Sequence, residues 1–573
     1  MRKFLLVALA VLVAAALALP ANAGLSGQAP SAAQSQSSGA LQSANGEYVV
    51  AYADGTSAAA ARAAVKAAGG TVLKENTQVG VATVKSANPA FLSAAAAQKA
   101  LVGAARNRPI GKLPSGDAAA KEEVERLTAA ERAKAEANAE AARAKAGSPQ
   151  AGRVPGQEPL ADRQWDMRMI DATPSGSYRV NQGRPGVLVG ILDSGIDGNH
   201  PDLRGNFNRR LSRNFATDIP LIDGPCEVPS CVDPRDVDDN GHGTHVAGLV
   251  AAELNGLGTA GVAPKVTLVS IRGGQDSGFV FLQPVVDAIV YAGLVGIDVI
   301  NMSFYIDPWL YNCLDNPADS PEAQAEQRTV RVAVQRSINF ARGHGVTPVA
   351  SMGNQHTDLG HPTADATSPD FPPGSNYPRT VDNSCLTVPT ETRGVLSISA
   401  LGPSFKKADY SNYGIEQTDF SAPGGFFRDY YGSDQYMQLE NMNLSTMPTA
   451  LAEAALEQDP DTPTIVQSCR GDVCGYYQYL QGTSMAAPHA TGVAALIVSA
   501  HGRRDPVHGG LTMSPRVAER VLTRTAKQTP CPFPPIATYP DRDPTWNATC
   551  EGILARNGFY GRGIVNALTA VLD

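Results

Sequence analysis

A run of nine residues, VLVGILDSG at 187–195, decides the fold class of this chain. Its first part, Val187–Leu192, is continuously apolar. Such a run is typical of a strand buried on both faces of a parallel sheet, because helices cover both faces of such sheets. Functional side chains gather where parallel strands end, and Asp193 directly follows this strand. An aspartate there can also simply cap a turn. The run predicts an α/β fold and offers Asp193 as a first candidate site residue.

A second motif, GHGTHVAG at 241–248, contains two histidines. Zinc peptidases with a histidine pair need the pattern H-E-x-x-H, and no glutamate lies between His242 and His245. The glycines instead allow close approach of the backbone at the start of a helix. We therefore expect His242 in the first turn of a helix and His245 about one turn further on.

Two more polar residues follow predicted strands or begin predicted helices. Val346–Ala350 (VTPVA) predicts another buried strand, and Asn354 comes shortly after it. This asparagine is either a turn residue or an amide that donates a hydrogen bond into a cleft. Ser484, in GTSMAAPHATG at 482–492, begins a helix that continues through small apolar residues. It is either an N-cap or a nucleophile beside the N–H groups of a helix start.

Taken together and in this order, the four motifs resemble the subtilisin-like serine peptidase family over about residues 160–573. The resemblance implies an α/β fold of three layers, a twisted parallel sheet with helices on both faces. It assigns Ser484 as nucleophile, His242 as general base and Asp193 as the residue that orients the imidazole. Asn354 and the Ser484 backbone N–H would form the oxyanion hole. This chemistry requires no cofactor.

The resemblance also implies where the substrate binds. The implied substrate-binding residues are Ser303, Phe304, Ser351 and Gly353. Family members usually carry small residues at these strand ends, whereas this chain has Phe304 and Met352. The bulk of these two side chains puts the depth of the specificity pockets in question and favours narrow specificity.

The N-terminal residues have the pattern of an export signal. Two basic residues precede the apolar run Phe4–Leu19, and an A-x-A cleavage pattern ends at Ala23. An uncleaved membrane anchor is the alternative, but the run is short compared with the roughly 20 residues of a membrane span. We expect residues 1–23 to be a signal peptide, the protein to be secreted without a membrane anchor, and residues 24–46 to be a flexible segment.

Residues 47–116 predict a small α+β domain. Strands are expected at 47–52, 71–73 and 79–84, and helices at 57–68 and 90–105. The family resemblance implies that this domain is an inhibitory propeptide. Residues 1–159 carry 17 basic and 11 acidic residues, a net +6, against 30 and 44, a net −14, in residues 160–573. The opposite charges either favour docking or merely keep each part soluble.

Three further segments have distinct compositions. Residues 117–159 are rich in Ala, Glu, Lys and Arg, which predicts a solvated helix or semi-rigid linker before the catalytic domain at 160–573. Stretches near 305–330 and 425–480 are expected insertions that either shape the cleft or form neutral surface loops. The acidic run at 233–239 is expected to be a solvated loop.

All eight cysteines lie in the catalytic part. In an exported chain they indicate four disulfides, and their spacings lack the CxxC form of a zinc site. The connectivity does not follow from the sequence, but pairing near neighbours would join Cys226 to Cys231, Cys313 to Cys385, Cys469 to Cys474 and Cys531 to Cys550. The family resemblance also implies a structural calcium ion with Asp202 and Asn255 among its ligands.

The composition excludes some classes of protein. With 43% hydrophobic and 18% charged residues the chain can bury a core, and its net charge of −8 argues against nucleic-acid binding. The sequence favours a secreted, monomeric serine endopeptidase, made as a self-inhibited zymogen, that cleaves proteins or peptides. A dedicated processing peptidase of narrow specificity is the alternative. A peptide-binding relative without turnover is disfavoured, because all four site residues are intact.

Overall fold

A computed structural model of the chain describes residues 46–107, 109–112, 125–145, 158–304, 308–369 and 375–573. The expected signal peptide and nearly all of the expected flexible segment lie outside these residues. Within the described ranges, every helix is too short or too polar to cross a lipid bilayer.

Residues 46–107 form a small antiparallel sheet with the strand order β2-β3-β1-β4. The elements of this region are β1 (Glu47–Tyr52), α1 (Ala58–Ala67), β2 (Gly70–Asn76), β3 (Val81–Ser86), α2 (Phe91–Ala96) and β4 (Leu101–Arg106), and the short strand β5 (Pro109–Lys112) follows it. Both helices pack on one face of the sheet, where Val65 and Phe91 meet Val50 and Val84 in one core.

The prediction of a single helix over 90–105 is wrong in its second half. The helix ends at Ala96, and residues from Leu101 onward form β4 beside β1. This pairing satisfies the backbone groups on the free edge of β1 and buries Leu101 and Ala104 in the core of the small domain. Tertiary pairing therefore overrides the helix propensity of the alanines in this stretch.

The rest of the chain contains the large domain, preceded by the helix α3 (Ala129–Lys145). Its helices are α4 (Trp165–Met169), α5 (Pro220–Asp223), α6 (His242–Ala251), α7 (Leu282–Val295), α8 (Pro321–Gly343), α9 (Thr449–Gln458), α10 (Thr483–His501), α11 (Pro515–Thr525) and α12 (Ala567–Leu572). Short 3-10 helices lie at Ala161–Arg163, Ser177–Arg179, Leu439–Asn441 and Pro544–Trp546.

The first six strands of this domain are β6 (Leu188–Leu192), β7 (Arg213–Asn214), β8 (Thr267–Arg272), β9 (Phe279–Phe281), β10 (Val299–Met302) and β11 (Thr347–Ser351). The remaining strands are β12 (Ala364–Asp365), β13 (Arg379–Thr380), β14 (Leu396–Leu401), β15 (Phe420–Pro423), β16 (Asn443–Met447), β17 (Ile465–Arg470), β18 (Val473–Leu480), β19 (Arg503–Arg504), β20 (Leu511–Thr512), β21 (Ile536–Ala537), β22 (Ala548–Thr549), β23 (Gly552–Ile553) and β24 (Arg556–Asn557).

A seven-stranded sheet in the order β15-β14-β11-β10-β6-β8-β7 forms the centre of the large domain, and its strands pair in parallel. Alternate side chains of β6 enter two separate cores, because successive residues of a strand point to opposite faces. Val189 and Ile191 join the core beneath α6 and α10, whereas Leu192 joins the core beneath α7 and α8. The prediction of a parallel sheet with helices on both faces is confirmed.

The outer face of the small N-terminal sheet packs against the large domain. Val49, Val81 and Ala105 belong to the same core as α7 and α8. Ion pairs flank this contact, with Lys74 Nζ 2.5 Å from Asp287 Oδ2 and Arg106 Nη1 2.9 Å from Glu326 Oε1. Beyond the sheet, β5 pairs antiparallel with β9. The small domain therefore covers the α7 and α8 side of the large domain.

The stretches expected to be insertions take different forms. Residues 321–330, at the end of the first, are the opening turns of α8, where Glu326 meets Arg106. The second stretch contains β16, α9, β17 and β18, and its three strands form a sheet of their own in the order β16-β18-β17. β16 packs against α6, which carries His242. The first stretch thus contacts the small N-terminal domain, and the second contacts the helix that carries His242.

Candidate active site

Asp193 and His242 form a buried pair at the carboxyl edge of the central sheet. Asp193 follows β6, and His242 is the first residue of α6. The Nδ1 atom of His242 lies 2.7 Å from Asp193 Oδ1, and both side chains are almost fully buried. The Ser194 backbone N–H also donates to Asp193 Oδ1, at 2.8 Å. The carboxylate therefore fixes which imidazole nitrogen faces the cleft, namely Nε2.

Glycine at 243 is required for this pair to form. A Cβ atom on Gly243 would lie 2.1 Å from the carbonyl oxygen of Gly195, and about 3.1 Å from the Asp193 side chain. The helix start can approach the end of β6 closely only because residue 243 has no side chain. This is the physical reason for glycine directly after His242 in the motif.

Asp238 holds the start of α6 in place. Its two carboxylate oxygens accept hydrogen bonds from the Thr244 N–H and hydroxyl, at 2.9 and 2.6 Å, and from the Ser194 hydroxyl at 2.8 Å. A carboxylate at a helix N-terminus is favoured by the helix dipole. The expectation of a solvated acidic loop at 233–239 is wrong for Asp233 and Asp238, which are each 4% exposed.

Ser484 lies in the first turn of α10, and Asn354 is tied to the same turn. The side-chain Oδ1 of Asn354 accepts hydrogen bonds from the N–H and the hydroxyl of Thr483, both at 2.9 Å. Gly353 N–H donates to the Thr483 hydroxyl at 2.9 Å. Because Oδ1 is held by Thr483, the amide nitrogen Nδ2 points the other way, into the cleft.

The hydroxyl of Ser484 makes no hydrogen bond to the imidazole of His242 in this structure. Ser484 Oγ donates to the carbonyl oxygen of Ser303 at 3.4 Å, and Ser303 Oγ donates to the Ser484 carbonyl at 2.9 Å. The Nε2 atom of His242 makes no hydrogen bond among the described residues. The structure thus brings the candidate nucleophile and base into one cleft without the hydrogen bond that would join them.

A residue that the sequence did not single out occupies the space between these groups. The carboxylate of Glu125 has one oxygen 3.4 Å from His242 Nε2, and the other accepts a hydrogen bond from Asn354 Nδ2 at 3.0 Å. The Gln481 N–H donates to the Glu125 carbonyl at 3.2 Å, and the side chain is buried. A carboxylate of the chain's own N-terminal part therefore lies in the catalytic cleft.

Glu125 also changes the protonation of His242. Burial alone would lower the pKa of this imidazole, but the neighbouring carboxylates of Asp193 and Glu125 raise its pKa to about 10. An imidazolium with a carboxylate at each nitrogen cannot accept a proton. In this arrangement His242 is held in the form that cannot serve as a general base.

The implied substrate-binding residues lie around this cleft in different settings. Ser303 contacts the Ser484 turn, and Gly353 contacts Thr483. Ser351 ends β11, and its carbonyl accepts a hydrogen bond from the Thr390 hydroxyl at 2.6 Å. Phe304 is 3% exposed and packs in the core beneath α7 and α8. Its substrate-binding role stays a prediction.

The eight cysteines are joined in the expected four pairs, Cys226–Cys231, Cys313–Cys385, Cys469–Cys474 and Cys531–Cys550. The pair Cys469–Cys474 closes the hairpin of β17 and β18. No free cysteine lies within the described part of the chain. A zinc site built from these thiolates is therefore excluded.

The two residues expected to bind calcium are already engaged by protein groups. Asp202 Oδ2 accepts from the Tyr477 hydroxyl at 3.1 Å and from the Thr259 N–H at 3.3 Å. Asn255 Oδ1 accepts from the Leu257 N–H at 2.9 Å. Asp202 Oδ1 is buried without a partner, but one free oxygen is far from the six to eight that calcium takes. As placed, these residues do not fit a calcium ion.

Three other carboxylates converge within the described residues, those of Asp218, Asp233 and Asp276. The buried guanidinium of Arg272 lies among them, with Nη2 2.6 Å from Asp276 and 2.8 Å from Asp233. The cationic position of this cluster is therefore already filled by the protein itself.

Comparison with known proteins identifies the family of this chain. Residues 184–542, more than half of the chain, match the model of the subtilase family (Peptidase_S8). The chain belongs to the subtilase family. In this subtilase, residues 29–109 also match the fervidolysin N-terminal prodomain, which includes the small sheet at 46–107. The family resemblance inferred from the sequence is confirmed.

Individual relatives of the subtilase are distant. The thermophilic serine proteinase of Bacillus sp. (strain AK1) is 27% identical over 57% of this chain and 56% of its own length. Fervidolysin of Fervidobacterium pennivorans is 28% identical over 61% of this chain and 39% of its own length. The chain thus spans about half the length of these curated relatives, or less.

Solved structures share the fold. The epidermin leader peptide processing serine protease (EpiP) of Staphylococcus aureus superposes with a TM-score of 0.59 at 21% identity, covering 92% of this chain and 98% of that one. The crystal structure of fervidolysin gives 0.53 at 22% identity, covering 92% and 61%. At these identities the similarity shows a common fold.

Proposed function

We propose that this subtilase is a serine endopeptidase, that Ser484, His242 and Asp193 carry out its chemistry, and that it is made as a zymogen. The observation that carries the proposal is the convergence of the Asp193–His242 pair with the first turn of α10 and with Asn354 Nδ2 in one cleft. Family membership supports the same reaction class.

The reaction follows from the positions of these groups. Ser484 Oγ adds to the scissile carbonyl carbon while its proton passes to His242 Nε2, once Glu125 has left the cleft. The carbonyl oxygen becomes an oxyanion, and Asn354 Nδ2 and the Ser484 N–H donate hydrogen bonds to it. His242 returns the proton to the leaving amine, and water then hydrolyses the acyl-enzyme in the reverse sequence. Asp193 stabilises the imidazolium that forms in both steps.

The proposal extends to processing and location. The export pattern at 1–23, the four disulfides and the prodomain match support a secreted protein whose residues 47–107 inhibit the catalytic domain until they are removed. Its substrates are proteins or peptides, and it works as a monomer. The chemistry uses no cofactor, and structural calcium is not part of the proposal.

A processing peptidase of narrow specificity is the second candidate. It is favoured by the cluster of apolar side chains on the 425–480 stretch that buries Leu127, two residues from Glu125, because such a surface can bind substrate residues beyond the scissile bond. EpiP, whose fold is similar, is by its name a leader peptide processing protease. Cleavage of a random peptide mixture separates the candidates, since a degradative enzyme gives many unrelated cleavage sites.

The test of the proposed function is the Ser484→Ala variant. The wild-type chain should hydrolyse casein and lose its N-terminal domain, whereas the variant should fold, retain residues 47–145 and lose about 10⁶ in turnover. Ser433→Ala, at an exposed hydroxyl, serves as the matched control and should behave like the wild type. A wild-type chain that cleaves neither casein nor itself would contradict the proposal.

A further inference from the structure

Residues 125–145, which we call the blocking segment, run from the catalytic cleft along the 425–480 stretch. The segment begins at Glu125, whose carboxylate faces both His242 Nε2 and Asn354 Nδ2. These are the two atoms that would handle the proton and the oxyanion during catalysis. Glu125 therefore occupies positions that a reacting substrate needs.

Leu127 anchors the segment next to the cleft. It is 6% exposed and belongs to an apolar cluster that is otherwise built mainly from the 425–480 stretch. Its buried neighbours in this cluster are Phe427, Leu439, Met442, Leu444, Tyr477 and Tyr479. Burying a leucine side chain away from water stabilises the contact that buries it. The segment is therefore bound both by the carboxylate of Glu125 and by the burial of Leu127 in this apolar cluster.

The helix α3 continues the contact. It begins with a capping box in which Thr128 Oγ1 accepts from the Glu131 N–H at 3.2 Å and Glu131 Oε2 accepts from the Thr128 N–H at 3.1 Å. Glu131 also forms an ion pair with Arg428 at 2.9 Å, and Asn138 Nδ2 donates to the Met437 carbonyl at 2.9 Å. The segment is therefore a helix that docks on the large domain, whereas its composition predicts a solvated helix or a semi-rigid linker.

The blocking segment and the small N-terminal domain use different surfaces. The small domain packs on α7 and α8, and β5 pairs with β9. The blocking segment binds the 425–480 stretch and the Ser484 turn. The small domain is attached through the apolar core that it shares with α7 and α8, and the blocking segment through the separate cluster around Leu127; each attachment has its own ion pairs. One can therefore be lost while the other remains.

We propose that the apolar side chains clustered around Leu127 form a docking surface for the blocking segment, and that this segment inhibits the enzyme independently of the pro-domain at 47–107. When the pro-domain alone is removed, Glu125 still occupies the cleft, and activity appears only when residues 125–145 have also left. This inference rests on the proposed peptidase function and assigns that function a second inhibitory element.

The first test uses a synthetic peptide of residues 125–145 and the secreted active enzyme. The peptide should inhibit hydrolysis of a fluorogenic substrate competitively. Glu125→Gln and Leu127→Asp in the peptide should each raise the inhibition constant at least tenfold, roughly the loss of one charge-assisted hydrogen bond or one buried side chain. Glu136→Gln, at an exposed residue of α3, is the matched control and should leave the constant unchanged.

The second test does not require the free peptide to become helical. A fluorophosphonate probe modifies Ser484 in the unprocessed full chain, with displacement of fluoride by Oγ. Glu125→Ala and Leu127→Asp should each speed this modification at least tenfold over the wild-type chain, while Glu136→Gln should not. Circular dichroism and the melting temperature of each variant confirm that it is folded.

The outcomes separate the two proposals. Sequencing of the active secreted species should find an N-terminus after residue 145. Active enzyme that retains residues 125–145, or equal modification of the wild-type and Glu125→Ala chains, overturns the second inhibitory element and leaves the peptidase proposal standing. If the probe modifies Ser484 neither in the full chain nor in the processed protein, the peptidase proposal is wrong, and so is the inference that rests on it.

Discussion

The carboxylate of Glu125 faces the imidazole of His242 across 3.4 Å, at the nitrogen that would receive the proton of Ser484. Ser484 Oγ is meanwhile turned to the carbonyl of Ser303. The candidate catalytic groups therefore lie together, but the hydrogen bond expected between Ser484 and His242 is replaced by the contact between His242 and Glu125.

This relationship predicts a change in the titration of His242. In a full chain carrying Ser484→Ala, which cannot process itself, the pKa of His242 should be about 10, and Glu125→Gln should lower it because one neighbouring carboxylate is removed. NMR titration of the imidazole protons measures both values, with Glu136→Gln as the control. An unchanged pKa in Glu125→Gln would refute the ionic contact.

The same shift makes the binding of the blocking segment depend on pH. Binding raises the pKa of His242, so the electrostatic part of binding is fully present below the pKa of the open site and is lost as the pH rises from there through about 10. The inhibition constant of the 125–145 peptide should therefore increase on the alkaline side. A peptide with Glu125→Gln should show a flatter profile, and identical profiles for both peptides would count against this explanation.

Asn354→Ala should lower kcat by about 10²–10³ and leave KM nearly unchanged. The reason is that Asn354 Nδ2, which donates to Glu125 in this structure, would donate to the oxyanion once Glu125 has left, while Oδ1 keeps its bonds to Thr483 in the wild type. Steady-state kinetics on a fluorogenic peptide measure the effect. Asn339→Ala, at an exposed residue of α8, is the control; a tenfold or smaller loss in Asn354→Ala would argue against its role.

Asp166→Asn should destabilise the catalytic domain by about 3–5 kcal/mol. Asp166 Oδ2 lies 3.1 Å from His489 Nε2, both side chains are fully buried, and this contact ties α4 to the helix that carries Ser484. Urea unfolding of the Ser484→Ala chain measures the loss of stability. Asp162→Asn, on the exposed 3-10 helix nearby, should change the midpoint little.

A calcium chelator should leave the melting temperature of the mature enzyme unchanged. The oxygens of Asp202 and Asn255 that would bind calcium already accept hydrogen bonds from Tyr477 and Leu257. Thermal unfolding with EDTA, and with EDTA followed by excess calcium, measures the effect. A drop of the melting temperature that calcium restores would show that the ion displaces these protein contacts.

Much of the fold was accessible from the sequence because its signals are local. The apolar run before Asp193 predicts β6, and glycines precede or begin the helices α6 and α10. The order of the motifs then predicts the family, which the match over residues 184–542 confirms. The roles of the individual site residues remain predictions that the geometry supports.

What the sequence did not reveal depends on tertiary contacts. Leu101–Arg106 has helix-favouring alanines but is a strand, because the edge of β1 needs a partner. Glu125 lies in a stretch whose composition indicates a linker, and no local pattern marks its contact with His242. One available signal was overlooked: Thr128 and Glu131 have the spacing of a capping box, which predicts that a helix starts at that point.

The hydrogen bonds from Thr483 to Asn354 Oδ1 have a consequence for how activity begins. The amide that would stabilise the oxyanion is already aimed at the cleft while the cleft is still occupied. Activation therefore needs the departure of the blocking segment and a rotation of the Ser484 hydroxyl from the Ser303 carbonyl toward His242, but no movement of the Asn354 amide. Each molecule should therefore reach its full turnover rate as soon as its blocking segment has left. The activity of the whole sample should then rise after a lag whose length is the time that the segment takes to leave.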